Sequence, residues 1–524
     1  MFCNIFVSKL NKCDKEKGAD GLCSQIEMKR IVNKRPLCFA AAMLSVGIVL
    51  GLLAVDNIIS RIVLISLFFA LTVTFAFIKK LKRIFYLPLA IMVGAVSFYG
   101  AHDLYIAKSV NENDTVYFAT VASEILVEDD TTSFKIKNIY LNGEKLGGTA
   151  RIYLSSASAP EFSAGDEVEI RGNLKSSEFN ALDSYFASAF SLRNTKVGFA
   201  QQVKLMTEKQ PDFMLGLEMK LKRAFYQNTK DDTASICISL IYGDKNGINQ
   251  SLYDDIKLSG LAHMLAVSGS HITILAAAIA FLLNKLKVNK KLSGAIVIVL
   301  LFFYSLFCGF SPSVTRAFIM STIFLLSATF GKKFDPLSTL SLTAILILIF
   351  QPVDLFEIGF QLSFASVLGI LLFYRSFNHA FRKTGKVFSP IISTTLAANI
   401  TTYPIMAQYF TVFPVFSLIS NIIILPLFTF LFVLLLIFAV FVLIFPFPTI
   451  LLIFDYLMIP LKAFFLAVGS LKVSGIPILP LGIMSVAYYF DVIVLSRFVF
   501  LKMRTKIALT STFTAVCLVV ALSI

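Results

Sequence analysis

Residues 259–275 read SGLAHMLAVSGSHITIL and open the main hydrophobic block of the chain. His263, His271 and the triplet Ser268-Gly269-Ser270 stand in a run otherwise apolar enough to enter a bilayer. Polar groups are costly in hydrocarbon, so where they occur they line an interior path or a helix contact. On an unbroken helix the two histidines, eight residues apart, would be about 12 Å apart along the axis and about 80° apart around it. That geometry does not let them share one metal ion. The Ser-Gly-Ser triplet can break the helix and expose backbone groups, as discontinuous helices do in transporters.

Around this stretch, apolar runs long enough to cross roughly 30 Å of hydrocarbon recur along the chain. Of 524 residues, 57% are hydrophobic and 15% charged, and the mean hydropathy is +0.79. A soluble chain of this length would divide into several cores and carry far more charge. The fold class expected is a polytopic α-helical membrane protein of about 13 spans with an inserted small β-barrel. Residues 1–35 are polar and charged, so no cleavable signal peptide is expected. The net charge of +15 is read as Lys and Arg in short cytoplasmic loops rather than as a nucleic-acid surface. The 52 Phe without any Trp are read as lipid-facing residues. Cys3, Cys13 and Cys23 match no usual zinc spacing.

Loop charge divides the chain into five parts. Residues 1–35 form a basic tail, with Lys29, Arg30, Lys34 and Arg35 placing the amino terminus inside. Residues 36–105 hold three spans, near 37–54, 61–78 and 84–104, with KKLKR at 79–83 cytoplasmic. Residues 106–210 form the β domain, which alternation places outside the membrane. Residues 211–256 read as amphipathic, interfacial helices. Residues 257–524 hold ten further spans, near 262–283, 292–309, 313–330, 336–350, 359–374, 388–408, 415–443, 447–469, 482–498 and 505–523. The loops 284–291, 331–335, 375–386 and 497–506 all fall inside under strict alternation. Pro426 is expected to kink or break the long run 415–443, and 447–469 to cross or re-enter.

Within the β domain, alternating runs TVYFATVASEILV, SFKIKNIYLNGEKL, TARIYLS and DEVEIRGNL are separated by turn residues, among them Asn142-Gly143. Around five strands suit a small OB-like barrel. Between 113 and 205 stand 12 acidic and 9 basic residues, a net of −3. This balance suits a scaffolding barrel at least as well as a nucleic-acid platform.

Six residues are candidates to line a path: His263, Ser268, His271, Arg316, Gln361 and Asn421. For the histidines, the alternative is satisfaction by neighbouring helices. Arg316 lies about one turn into a span; it either snorkels to headgroups or offers phosphates a guanidinium that pairs two oxygens. Glu357, Gln361 and Ser363 form a polar stripe on one helix face, which interhelical hydrogen bonds would also explain. Asn421 sits five residues before Pro426. Asp335-Pro336 reads as an N-cap followed by proline at the first helical position. The chain has no Walker A motif, no HExxH, no nucleophile elbow and no zinc-spaced Cys/His cluster. Neither catalysis, a metal nor a cofactor is expected.

The series LIYGDKNGI (240–248), SGLAHMLAVSGSHITIL (259–275), SPSVTRAFIM (311–320), DPLSTLSLTA (335–344), PVDLFEIGFQLSFASVLGI (352–370) and SNIIILPL (420–427) resembles, in order, the ComEC family of competence proteins. AGDEVEIRGNLK (164–175) and NALDSYFASAF (180–190) are similar to that family's outer domain. The resemblance covers roughly residues 36–524 and departs from the usual pattern at Ser270, where an apolar residue is common. Many members also end in a metallo-β-lactamase-like domain whose His/Asp motifs are not present here. The resemblance implies a channel in the bacterial cytoplasmic membrane that passes single-stranded DNA inward during natural transformation. Implied partners are single-stranded DNA, membrane lipid, an outer DNA receptor, a cytoplasmic motor or helicase, a separate nuclease and a second copy of the chain. A secondary transporter or flippase, and a non-transporting scaffold, are the alternatives.

Overall fold

The computed structural model describes residues 36–54, 57–78, 84–102, 110–128, 131–141, 143–146, 149–155, 162–176, 196–410, 412–445, 447–471, 475–477, 484–495, 505–507 and 509–514. The amino-terminal cysteines, the KKLKR turn and the segment 180–190 lie outside these residues.

Three helices come first: α1 (Pro36–Leu53), α2 (Ile58–Phe77) and α3 (Tyr86–Ala101). Their residues are almost wholly apolar, and α1 and α3 meet backbone to backbone. A Cβ built on Gly47 would stand 2.0 Å from the Ile91 carbonyl oxygen, and one on Gly94 2.3 Å from that of Leu44. Small residues permit this approach, the usual basis of tight helix contacts in lipid. None of the residues of α2 is buried.

The β domain contains β1 (Val110–Val121), β2 (Leu126–Glu128), β3 (Thr131–Leu141), β4 (Glu144–Leu146), β5 (Ala150–Ser155), β6 (Glu167–Ser176) and β7 (Lys196–Thr207). The sequence runs anticipated all of these but β7, whose residues alternate less clearly. β1 pairs with both β3 and β6, β6 with β7, β7 with β5 and β5 with β3. The five strands therefore close into a ring, and β5–β7 is its parallel pair. Alternation turns Tyr117, Phe134, Ile136, Ile152, Val168 and Ile170 inward, where they are buried. Asp166, in the AGDEVEIRGNLK motif, accepts from the Ser163 N–H (2.7 Å), the Ser163 hydroxyl (3.0 Å) and the Lys209 N–H (3.0 Å). Burial alone would raise its carboxyl; the three donors outweigh it and hold the carboxyl below its ordinary value. That motif shapes a turn.

Next come α4 (Phe213–Asn228), α5 (Asp231–Tyr242) and α6 (Gln250–Leu258). Read as interfacial from sequence, they differ in the structure. Every residue of α5 from Thr233 to Tyr242 is buried. Its second face is covered by later helices, which local pattern could not reveal.

The remaining elements are α7 (Gly269–Lys285), α8 (Lys290–Phe307), α9 (Pro312–Thr329), α10 (Pro336–Phe350), α11 (Ile358–Ala380), α12 (Phe388–Tyr409), β8 (Val412–Pro414), α13 (Ser417–Ile444), α14 (Ile453–Leu457), α15 (Ile459–Gly469), β9 (Gly475–Pro477) and α16 (Met484–Leu495). α4–α6 share one core with α13–α15 through Phe225, Ile238, Phe432 and Phe454. α1 and α3 share another with α10 and α11 through Ile48, Phe98, Leu348 and Phe360.

Six helical stretches among the described residues are long and apolar enough to cross a membrane: Pro36–Leu53, Ile58–Phe77, Lys290–Phe307, Ile358–Ala380, Ser417–Ile444 and Pro448–Gly469. Tyr86–Ala101, Gly269–Lys285 and Pro336–Phe350 are apolar but shorter. The difference from the sequence reading has local causes. The run at 262–283 loses its first turns to a break, and much of 496–524 lies outside the described residues. Ser and Thr also dilute α9 and α12. α13 continues through Pro426 for 28 residues, without the expected break. The stretch 448–469 divides into a 3-10 turn, α14 and α15.

Candidate functional site

Some of the polar candidates lie where the starts of α7, α9 and α11 meet. The helix expected over 262–283 is broken as the Ser-Gly-Ser triplet suggests. A 3-10 turn covers Ala262–Met264, the chain is extended at Ser268 (φ −117°, ψ 173°), and α7 starts at Gly269. Ser268 is the N-cap. His271, three residues on, fills the place a Glu or Gln takes in a capping box: its Nδ1 lies 3.1 Å from the Ser268 N–H and 3.0 Å from the Ser268 hydroxyl. Ser270 Oγ is 2.7 Å from Ser268 Oγ.

These contacts assign the tautomers. A backbone N–H can only donate, so Nδ1 of His271 accepts and the ring proton sits on Nε2. That Nε2 is buried and has no hydrogen-bond partner among the described residues. The ring stands edge-on to Phe428 (5.2 Å) and Phe432 (4.6 Å) of α13. His263 has the opposite tautomer. Its Nδ1 donates to the Gly260 carbonyl, 3.0 Å away, and its side chain is exposed. The two histidines thus serve different local jobs and share no partner.

Arg316 is only 7% exposed, inside the protein rather than reaching out along its surface. Nε donates to Ser363 Oγ of α11 at 2.6 Å, Nη1 approaches Met320 Sδ at 3.7 Å, and the guanidinium lies 6.0 Å from the Phe364 ring. A Cβ on Gly269 would stand 2.7 Å from its Nη2. Glycine at the start of α7 therefore makes room for the guanidinium. Ser313 donates to the Gly359 carbonyl at 3.3 Å, tying the first turns of α9 and α11.

The expected Glu357–Gln361–Ser363 stripe is divided among tasks. Glu357 is the N-cap residue of α11, Gln361 donates to the Leu355 carbonyl at 3.1 Å, and Ser363 takes Arg316. Asn421 is half-buried near the start of α13, apart from the Arg316 cluster in its described contacts. Asp335 caps α10 by accepting from the Ser338 N–H at 3.2 Å. Ser268 and His271 are therefore joined directly, Arg316 packs on the Gly269 between them and His263 is near enough to His271 to act on it electrostatically, whereas Gln361 and Asn421 have no described contact with this group.

Several residues escaped the sequence reading. Phe364, Phe428 and Phe432 looked like lipid-facing aromatics but pack on the polar cluster. Pro404, inside α12, cannot donate to the Ile400 carbonyl. Tyr488 of α16 does so instead at 2.8 Å, and Tyr489 donates to the Thr401 carbonyl at 3.0 Å. A proline in an apolar run calls for such a donor, and that signal was present. The other missed group joins the β ring to the helices. Lys222 of α4 pairs with Glu124, which follows β1, and with Asp244 (2.6 Å), which follows α5. Burial would lower the Lys222 ammonium, but the two carboxylates outweigh it and raise it. Glu218, one turn earlier, is pushed up to about 7, by burial first, with Lys222 opposing and Asp244 and Glu124 adding.

A family model described as "Competence protein" matches residues 240–503, the part of the chain that carries this site. ComE operon protein 3 of Bacillus subtilis (strain 168) is 29% identical over 199 residues, 38% of this chain and 25% of that protein. An uncharacterized protein of Aquifex aeolicus (strain VF5) is 27% identical over 206 residues, 39% of this chain and 47% of its own. A second uncharacterized protein, from Mycoplasma genitalium, is 29% identical over 182 residues, 35% of this chain and 46% of its own. The chain spans a quarter to just under half the length of these relatives. No solved structure matches.

Proposed function

This chain belongs to the competence protein family, and from that premise we propose that it forms the membrane path by which single-stranded DNA enters the cell during natural transformation. The observation that carries this reading is the polar cluster at 268–271, 316 and 363. Inside an apolar helical block, a broken helix and a buried guanidinium face each other with hydroxyls around them. Such a lining can pass a chain of phosphates without gripping its bases. The closed five-strand ring of β1, β3, β5, β7 and β6 supports the reading of an OB-like outer domain that the DNA meets first. The Lys and Arg loops support an inward amino terminus and an outward β ring in the bacterial cytoplasmic membrane. The chain supplies the path rather than a chemical step. A receptor outside, a motor inside and a separate nuclease complete the process.

A marker-transfer experiment tests this. In a strain lacking the gene, surface-bound and internalised DNA are counted separately. Binding is expected to persist while internalised DNA falls to background, and the wild-type gene restores it. Normal internalisation without the gene overturns the reading. Loss of surface binding instead would favour a scaffold that recruits partners.

A further inference from the structure

We propose that Arg316 and the first turn of α7 form a cradle for one phosphate oxyanion. The proposal deepens the uptake reading, on which it rests for the identity of the ligand.

A helix N-terminus carries unsatisfied N–H groups and a positive end charge. Here α7, 17 residues long, begins at Gly269, and the Arg316 guanidinium is packed against that first residue. Two positive groups thus lie side by side in a place largely closed to water. A cation in such a place is normally paired with a carboxylate. Among the described residues Arg316 has none: its partners are a hydroxyl, a thioether and a phenyl ring. Nε is occupied by Ser363, and Nη2 has no acceptor among the described residues. Nη2 is the nitrogen that overlies Gly269. This is a nine-tenths buried cationic donor with unused capacity, turned toward a helix start that also offers donors.

One oxyanion would satisfy both. A phosphate oxygen accepting from Nη2 can accept from the Gly269 and Ser270 N–H groups of α7 as well, since the His271 N–H is already taken by the Ser268 cap. A methyl group at 269 would stand 2.7 Å from Nη2 and make the guanidinium shift. The chemistry selects a singly charged, tetrahedral phosphodiester over a carboxylate ligand only through its source. That source is either the backbone of the entering strand or a lipid headgroup.

The test uses the full chain in phosphatidylcholine nanodiscs. Binding of a fluorescein-labelled thymidine 12-mer is followed by anisotropy, with inorganic phosphate as competitor. The wild type is expected to bind, with phosphate competing. Arg316→Gln should weaken binding at least tenfold, and Arg316→Lys should fall between, since it keeps charge but loses the planar fork. Gly269→Ala and Ser363→Ala retain the guanidinium but displace it, so each should also weaken binding. They decide the matter if Arg316→Gln is not recovered folded. In a second arm, phosphatidylglycerol is added and the lipid retained is counted by native mass spectrometry. If Arg316→Gln loses the lipid while the 12-mer binds normally, the phosphate site stands and its source is a headgroup. If 12-mer and lipid bind alike in the wild type and in Arg316→Gln and Gly269→Ala, the cradle is refuted. The cradle can fail while the gene remains necessary for internalisation. The uptake reading can fail, by the marker-transfer experiment, while the cradle still binds phosphate.

Discussion

Two of the cations sequestered among the described residues keep opposite company. Lys222 lies between the β ring and the helices, its side chain 16% exposed, with Glu124 and Asp244 in contact and Glu218 nearby. Arg316 lies in the helical block, 7% exposed, with only neutral groups in contact. A buried charge with opposite charges around it is a fastening, because its removal strands the partners. A buried charge with neutral partners leaves electrostatic capacity unspent, and a ligand can use it. The comparison separates residues that hold the molecule together from residues that act.

The sharpest way to break that contrast is at Lys222. Lys222→Met keeps the stem but leaves Glu124, Asp244 and Glu218 facing one another. We expect a stability loss of about 2–3 kcal/mol, somewhat less than the cost of breaking a fully buried pair because water reaches this junction. The β ring should become the first part released by limited proteolysis, and uptake should fall with it. An unchanged melting temperature would remove Lys222 from the fastening role. Arg316→Gln should do the reverse. Internalised DNA drops about tenfold, equal to about 1.4 kcal/mol, while thermal stability measured without anion stays within about 1 kcal/mol of wild type or rises. A large loss of stability at Arg316 would make it a structural tie to Ser363 and dissolve the comparison.

A smaller effect sharpens the boundary between the two classes. The Tyr488 hydroxyl satisfies the Ile400 carbonyl that Pro404 leaves open. Tyr488→Phe should cost about 1 kcal/mol, the ordinary net value of one hydrogen bond. In a Pro404→Ala background the helix supplies its own N–H to that carbonyl, and Tyr488→Phe should then cost much less. A double-mutant cycle reads the difference. Equal costs in both backgrounds would mean that Tyr488 acts by packing.

What could be seen in advance follows the range of each interaction along the chain. The helical, membrane-spanning class was plain from hydropathy, and Ser268-Gly269-Ser270 marked the break because its chemistry is local. The capping role of His271 was not read, although the residue stands at the N3 spacing from Ser268. Arg316 was identified as a candidate, but its burial was not. Which side of α9 meets α7 and α11 depends on packing between helices distant in sequence. Glu218 and Lys222 are visibly one helical turn apart, yet Glu124 and Asp244 join them only through the fold. α5 read as interfacial because part of its cover comes from α13, almost two hundred residues later. Pro404 signalled the need for a donor, and only the packing of α16 identified it.

The smallest expected effect tests the junction by pH. Glu218 lies in α4, between the β ring and the helices, and faces Lys222, Asp244, Glu124 and Lys135, with Tyr242 and Tyr226 packed near. Its carboxyl is pushed up to about 7, so the folded protein holds a proton there over a range in which the unfolded chain, near the ordinary value of 4.5, has released it. The folded state binds more protons between those two values, and stability from this group therefore falls as pH rises through that window. It is fully present below the unfolded value and gone above about 7. The melting temperature should thus decline between pH 5 and pH 8 in the wild type, and Glu218→Gln, which keeps the neutral shape, should flatten that part of the profile. Lys222 titrates well above this window and does not contribute to the slope. Should Glu218→Gln leave the slope unchanged, the proton is bound elsewhere and the junction is held by the Lys222 pairs alone.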